Sequence, residues 1–107
     1  MLDEYDDTQF VLADFGLATW ISKPLTMSCG SPGYTAPEVL SGGSYDFKVD
    51  IFSAGILMYI LLTGKAVFGG KTTHQIMVAN KNCNIKYPMN LWNPLSPDAL
   101  KLVSSLL

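Results

Sequence analysis

The sequence contains no arginine: all seven basic residues are lysines. Without a guanidinium fork, no carboxylate can be met bidentately within this chain, and no phosphorylated residue can dock on an arginine of its own chain. Nine acidic residues leave a net charge of −2, which gives no basis for binding nucleic acid or an anionic membrane surface. Histidine occurs once, at His74, with no partner in sequence for acid–base work, so a bland surface role is expected of it. The two cysteines, Cys29 and Cys83, are far apart and form neither a metal-ligand nor a disulfide pattern. Cys29 beside Gly30 reads as a structural thiol, because no activating charge stands near it. There are no repeats, and no signal-peptide pattern follows Met1, so a reducing, cytoplasmic setting is expected. What the chain does have is apolar bulk. At 49% hydrophobic and 15% charged, it is expected to fold as one small domain or part of a larger one.

The longest apolar stretch runs from Asp46 to Gly64, with Asp46 a candidate N-cap and Gly64 a candidate terminator. As a helix it would be about 24 Å long at 1.5 Å per residue. Val49, Phe52, Ile56 and Tyr59 fall on one side; Ile51, Leu57, Met58, Leu61 and Leu62 cover the others. A helix apolar all round must be enclosed, and this run, flanked by Asp50 and Lys65, is too short to span a bilayer comfortably. It therefore reads as a buried helix of a soluble fold. Asp50, in its first turn, is either a simple helix-start acid or an anchor for a loop from another segment.

Around it, the acidic run from Met1 to Thr8 reads as a solvated loop and Gln9–Ala13 as a short buried strand. From Leu17 to Gly33 no period is visible, and Ser, Thr, Pro and Gly accumulate, predicting a long loop of the functional or mobile kind. Ala36–Leu40 starts a short helix with proline in its first turn, and Gly42-Gly43 breaks it. Thr72 and Gln75 stand at capping-box spacing before a helix over 72–80. Asn82 to Pro94 is aperiodic. Ser96-Pro97-Asp98 supplies an N-cap, a proline at N1 and an acid at N2 for a last helix carrying Leu100, Val103, Leu106 and Leu107. Trp20 and Trp92 read as packing or partner contacts.

Two triplets carry the chemistry. Asp14-Phe15-Gly16 sits at a strand end, and Ala36-Pro37-Glu38 follows downstream; both belong, in this order, to the protein-kinase signature. The run Cys29-Gly30-Ser31-Pro32-Gly33-Tyr34-Thr35-Ala36-Pro37-Glu38 resembles the substrate-side loop of Ser/Thr kinases. Tyr45 to Gly64 is similar to the large central helix of the kinase C-lobe. Leu62-Thr63-Gly64, Phe68, Ser96-Pro97-Asp98 and Leu106-Leu107 also fall where that family places such residues. The resemblance covers essentially the whole chain and looks closest to the calmodulin-dependent or AMP-activated type.

The resemblance implies a mainly α fold: a truncated protein-kinase C-lobe over residues 1–107, with a short strand before the Asp14 triplet. It implies phosphoryl transfer from ATP to protein serine or threonine, with Mg²⁺ as the metal. Asp14 would be the metal ligand, Phe15 would pack inward to set the active or inactive state, and Gly16 would give the backbone freedom to switch. Gly30, Ser31, Pro32 and Tyr34 would serve the peptide, and Asp50 would anchor the catalytic loop. Leu17 resembles serine-preferring members. Glu38 would pair with an arginine beyond the last helix, a partner this chain does not contain. Met27 stands where many relatives carry the activating residue, so phosphorylation at Thr26 or Ser28 would be out of register. Phe52 replaces a usual Trp and Val67 a usual Pro, both staying apolar.

The sequence also lacks the Gly-rich loop, the V-A-I-K lysine with its glutamate, and the H-R-D-x-x-x-x-N loop that supplies the base. The chain is therefore expected not to transfer phosphate alone. The competing expectation is a non-catalytic binding module acting through kinase segments, regulators or protein substrates. The two differ in that a central helix without upstream cover is expected to expose apolar surface and dissolve poorly, whereas a sharp cooperative melt of the monomeric chain would favour the module. A small unrelated helical domain is the third.

Overall fold

The computed structural model describes the backbone of Leu2–Asp3 and Asp6–Leu107, and side chains from Gln9 onward. The elements are β1 (Leu2–Asp3), β2 (Asp6–Phe10), α1 (Pro37–Leu40), α2 (Lys48–Thr63), α3 (Thr73–Asn82), α4 (Met89–Trp92) and α5 (Pro97–Leu106). The fold is mainly α, as expected.

Helix boundaries follow the local chemistry closely. Pro37 opens α1 at its first turn. Asp46 Oδ1 accepts from the Lys48 amide at 2.9 Å, so it satisfies an orphan donor of α2 from one position outside the N-cap, which is Phe47. Gly64 closes α2 in the left-handed conformation at φ 70°. Thr72 Oγ1 accepts from Gln75 N at 3.2 Å, and Gln75 Oε1 accepts from Lys71 N at 2.7 Å. The reciprocal capping pair is thus present, with its return bond one residue further out than the standard box. Ser96 Oγ accepts from Ala99 N at 3.2 Å and starts α5.

α2 is the common wall of two cores. Phe52 and Ile56 pack with Ala36, Val39 and Phe68. One turn on, Tyr59 packs with Trp92 and Val103. Tyr59, Tyr87 and Trp92 form an aromatic cluster with centroids 5.2–5.9 Å apart, and Tyr59 Oη donates to the Lys86 carbonyl at 2.8 Å. α2 and α5 approach so closely at Gly55 that a Cβ there would lie 2.7 Å from Leu107 Cδ2 and 2.8 Å from Leu106 Cβ. Only glycine lets these two backbones meet.

Four expectations are corrected. α2 is not enclosed all round: Ile51, Leu57 and Leu61 are exposed, Leu61 at 74%, because α1, α3, α4 and α5 all pack from one side. Residues 9–13 are not a buried strand. β2 stops at Phe10, and Val11 and Leu12 are exposed, because among the described residues no layer covers them. The acidic start is not simply a loop: β1 and β2 pair antiparallel, Leu2 opposite Phe10 and Asp3 opposite Asp6, with an irregularity between Leu2 and Asp3. A two-stranded ribbon demands no apolar face, so charge does not prevent it; Glu4 and Tyr5 lie outside the described residues. Last, residues 82–94 are not wholly irregular: Pro88 precedes the short α4, which delivers Trp92 to the core. No helix among the described residues is long and apolar enough to cross a membrane.

Candidate functional site

The long segment over 17–33 has no helix or strand, but it is not free. Leu25 and Tyr45 form an isolated antiparallel bridge with both N–H···O bonds at 2.8 Å. Tyr45 Oη donates to the Met27 carbonyl and lies 3.9 Å from Cys29 Sγ. Partial burial, and then the adjoining Cys29 thiol, push the Tyr45 hydroxyl above its ordinary range. The segment is thereby laid against the entry to α2.

At its end the chain turns tightly. Gly30 adopts φ 133°, and a Cβ there would stand 2.5 Å from Thr35 Oγ1. Thr35 Oγ1 in turn donates to the Ser31 carbonyl at 2.8 Å, and Tyr34 N to the same carbonyl at 3.2 Å. Ser53 Oγ, from α2, donates to the Tyr34 carbonyl at 2.7 Å. From α3, Asn80 Oδ1 accepts from Gly33 N at 2.9 Å and Thr35 N at 3.4 Å, while Nδ2 donates to the Thr35 carbonyl at 2.8 Å.

An open cavity of about 950 Å³ lies between this turn, the 14–29 segment and the start of α2. Asp14, Gly16, Gly30, Ser31, Tyr34 and Asp50, all singled out in the sequence, line it together. Asp14 is exposed at φ 65°, a left-handed conformation uncommon outside glycine, with its Oδ1 3.4 Å from Gly16 N. Asp50 is exposed in the first turn of α2. Pro32, Thr26 and Ser28 are exposed and do not line the cavity. Phe15 is 68% exposed, so the inward packing expected of it is not made: no apolar layer stands over it among the described residues.

Glu38 lies elsewhere, in a smaller cleft with Pro37, Lys48, Phe52, Cys83 and Leu106. Burial, and secondarily the Glu38 charge, raise the Cys83 thiol above its ordinary 9.0. His74 is exposed at the start of α3. Trp92 is core, and Trp20 is 94% exposed. Among the described residues no group of three or more His, Cys, Asp and Glu could hold a metal by itself.

Asn80 and Ser53 escaped sequence reasoning. The signal for Asn80 was available: it falls on the stripe Ile76–Asn80–Cys83, where an apolar residue is the ordinary choice. Ser53 had none, since a serine within a helix usually bonds back to its own backbone, as Ser53 also does to Val49 O at 3.1 Å.

Known proteins resemble this chain along most of its length. The chain is 41% identical over 88 residues to probable serine/threonine-protein kinase 2 of Plasmodium falciparum, covering 81% of this chain and 17% of that one. It is 39% identical over 101 residues to myosin light chain kinase A of Dictyostelium discoideum (92% and 34%). It is 45% identical over 98 residues to serine/threonine-protein kinase PEPKR2 of Arabidopsis thaliana (90% and 21%). The chain thus spans between 17% and 34% of the length of these relatives. With the protein kinase domain family matching residues 1–107 in full, the chain belongs to that family.

Proposed function

We propose that residues 1–107 form the lower part of the catalytic domain of a Ser/Thr protein kinase of the calmodulin-dependent or AMP-activated type. Its reaction is ATP-dependent phosphorylation of protein serine or threonine. Likeness to myosin light chain kinase A supports the subgroup. The observation that carries the reading is the single cavity shared by Asp14, the Gly30–Tyr34 turn and Asp50. It gathers a hard carboxylate, a peptide-sized rim and a helix-start acid, the parts that positioning for phosphoryl transfer requires.

Mg²⁺ fits this site as one ligand's worth: it is commonly held by one or two carboxylates plus substrate phosphates rather than by an all-protein cage. Asp14 would be that carboxylate, and the bound ion would offset the charge of the transferring phosphoryl group. Gly16 and the left-handed Asp14 set the direction in which the carboxylate points. Ser31, Pro32 and Tyr34 would flank the accepting hydroxyl, and Asp50 would hold the loop that brings the base. Thr26 and Ser28 are open to modification, and Glu38 faces a cleft into which a guanidinium would fit. No residue of this chain takes the role of the base, so the 107 residues alone do not transfer phosphate.

A binding-module reading has one observation in its favour, the exposed apolar flank of α2 at Ile51, Leu57 and Leu61. One experiment separates the two. An antibody to residues 71–93 is used to blot extract of the source cells and to immunoprecipitate the reactive polypeptide for assay with labelled ATP, Mg²⁺ and a serine peptide. A band several times the 107-residue size with phosphoryl transfer supports the kinase reading. A single band at the size of this chain, with no transfer, overturns it in favour of the module.

A further inference from the structure

One fully buried polar side chain has no place in the reading above. Asn80 lies near the C-terminal end of α3 with no solvent exposure. A buried carboxamide is costly unless its donors and acceptor are matched. Here the match comes entirely from residues 45–47 positions away: Gly33 N, Thr35 N and the Thr35 carbonyl. The side chain offers an acceptor and a donor side by side, as the backbone of a neighbouring strand would, and so stands in for a strand that the turn does not have. Ser53, from α2, fixes the intervening Tyr34 carbonyl. Three successive residues are therefore held by side chains from two helices, whereas the Leu25 region is tied through the backbone bridge to Tyr45. A leucine would fill the Asn80 position on the Ile76 stripe and satisfy α3; only an amide also satisfies the turn.

We propose that Asn80 is a positioning residue for the substrate-side loop: by fixing the backbone of Gly33 and Thr35 it sets how Ser31, Pro32 and Tyr34 meet the acceptor peptide. This makes α3 a determinant of peptide capture, and it rests on reading residues 30–34 as peptide-facing.

The test uses the native polypeptide that the blot identifies, whatever its length, and compares it with Asn80→Leu. In the unaltered protein, residue-resolved amide exchange shows Gly33 and Thr35 about tenfold or more slower than Gly30 and Ser31, which donate no backbone hydrogen bond among the described residues. In Asn80→Leu that protection disappears while Ile56 and Val103 keep theirs, and the KM for a serine peptide rises about fivefold or more with kcat and the KM for ATP within about twofold. Should the leucine variant lose protection at Ile56 and Val103 too, Asn80→Asp replaces it: it keeps the acceptor, loses the Nδ2 donor, and is expected to raise the peptide KM in the same direction. Equal exchange at all four turn residues in the unaltered protein, unchanged protection in Asn80→Leu, or a fall in kcat at constant peptide KM overturns the proposal. If the unaltered polypeptide phosphorylates no peptide, the kinase reading fails by itself, and the exchange comparison alone decides whether Asn80 holds the turn.

Discussion

Residues 9–29 and residues 36–107 carry similar side chains and treat them in opposite ways. Phe10, Leu12, Phe15, Leu17 and Trp20 stand in solvent, while Phe52, Ile56, Tyr59, Phe68 and Trp92 are buried. Hydrophobicity does not separate the two sets; the availability of a second surface does. In the helical body, successive helices over short connections bring apolar residues from Ala36 to Leu107 onto α2, so two cores close against it. Among the described residues the extended segment makes no helix and pairs only with β1 and, at the single Leu25–Tyr45 bridge, with the entry to α2, so most of its apolar residues find no layer to enter.

That contrast can be broken most forcefully from inside the body. Ile56→Ala removes a side chain with no solvent exposure from the first core, and is expected to cost about 3 kcal/mol in denaturant unfolding. A loss below about 1 kcal/mol would mean that the body is loosely packed and that the two regions differ less than their burial suggests.

Gly55→Ala tests the closest approach in the body. The added methyl meets Leu106 and Leu107 well inside contact distance, and the expected loss is about 1–3 kcal/mol as α5 is forced outward. A neutral result by thermal melting would show that α5 shifts freely, and would remove one wall of the body.

A smaller effect is expected from alkali. The Cys83 thiol is raised above 9.0 and the Tyr87 hydroxyl above 10.0, each chiefly by burial. Both protonated forms are favoured by folding, so their contribution is intact below those ordinary values and is lost as pH climbs through the raised folded ones. Tm should therefore fall as pH passes above about 9, and less steeply in Cys83→Ser. An identical alkaline limb in wild type and Cys83→Ser would take Cys83 out of the account.

The smallest effect belongs to the other region. Trp20→Ala deletes the largest side chain type in the protein, yet it should change stability by no more than about 0.5 kcal/mol, because nothing in the described fold packs on it. A loss comparable with Ile56→Ala, measured side by side, would show that residues 9–29 are packed after all.

Most of the helical body was legible in the sequence because its signals are local. Thr72 with Gln75, Ser96-Pro97-Asp98 and Gly64 each act on backbone groups a few residues away, and each does in the structure what its spacing implies. The helix face Val49–Phe52–Ile56–Tyr59 was legible for the same reason. The candidate site was legible as a set of motifs, but not as a place. Nothing in the order of residues says that Asp14 and Asp50 line one cavity, that Phe15 stays outside, or that Glu38 faces a different cleft. The strand expected at 9–13 failed because a strand is made by its partner, and pairing here ends at Phe10.

The sequence by itself determined the family, the longer helices and most of their ends, and the apolar face around which they gather, because capping, periodicity and motif spacing act over a few residues. Only the tertiary structure decided which sides of α2 are covered, how near α5 can come at Gly55, and that a turn at residues 33–35 is held by Asn80 and Ser53. Those outcomes depend on contacts between residues far apart in the chain, where the geometry of packing, rather than the order of side chains, chooses which groups meet.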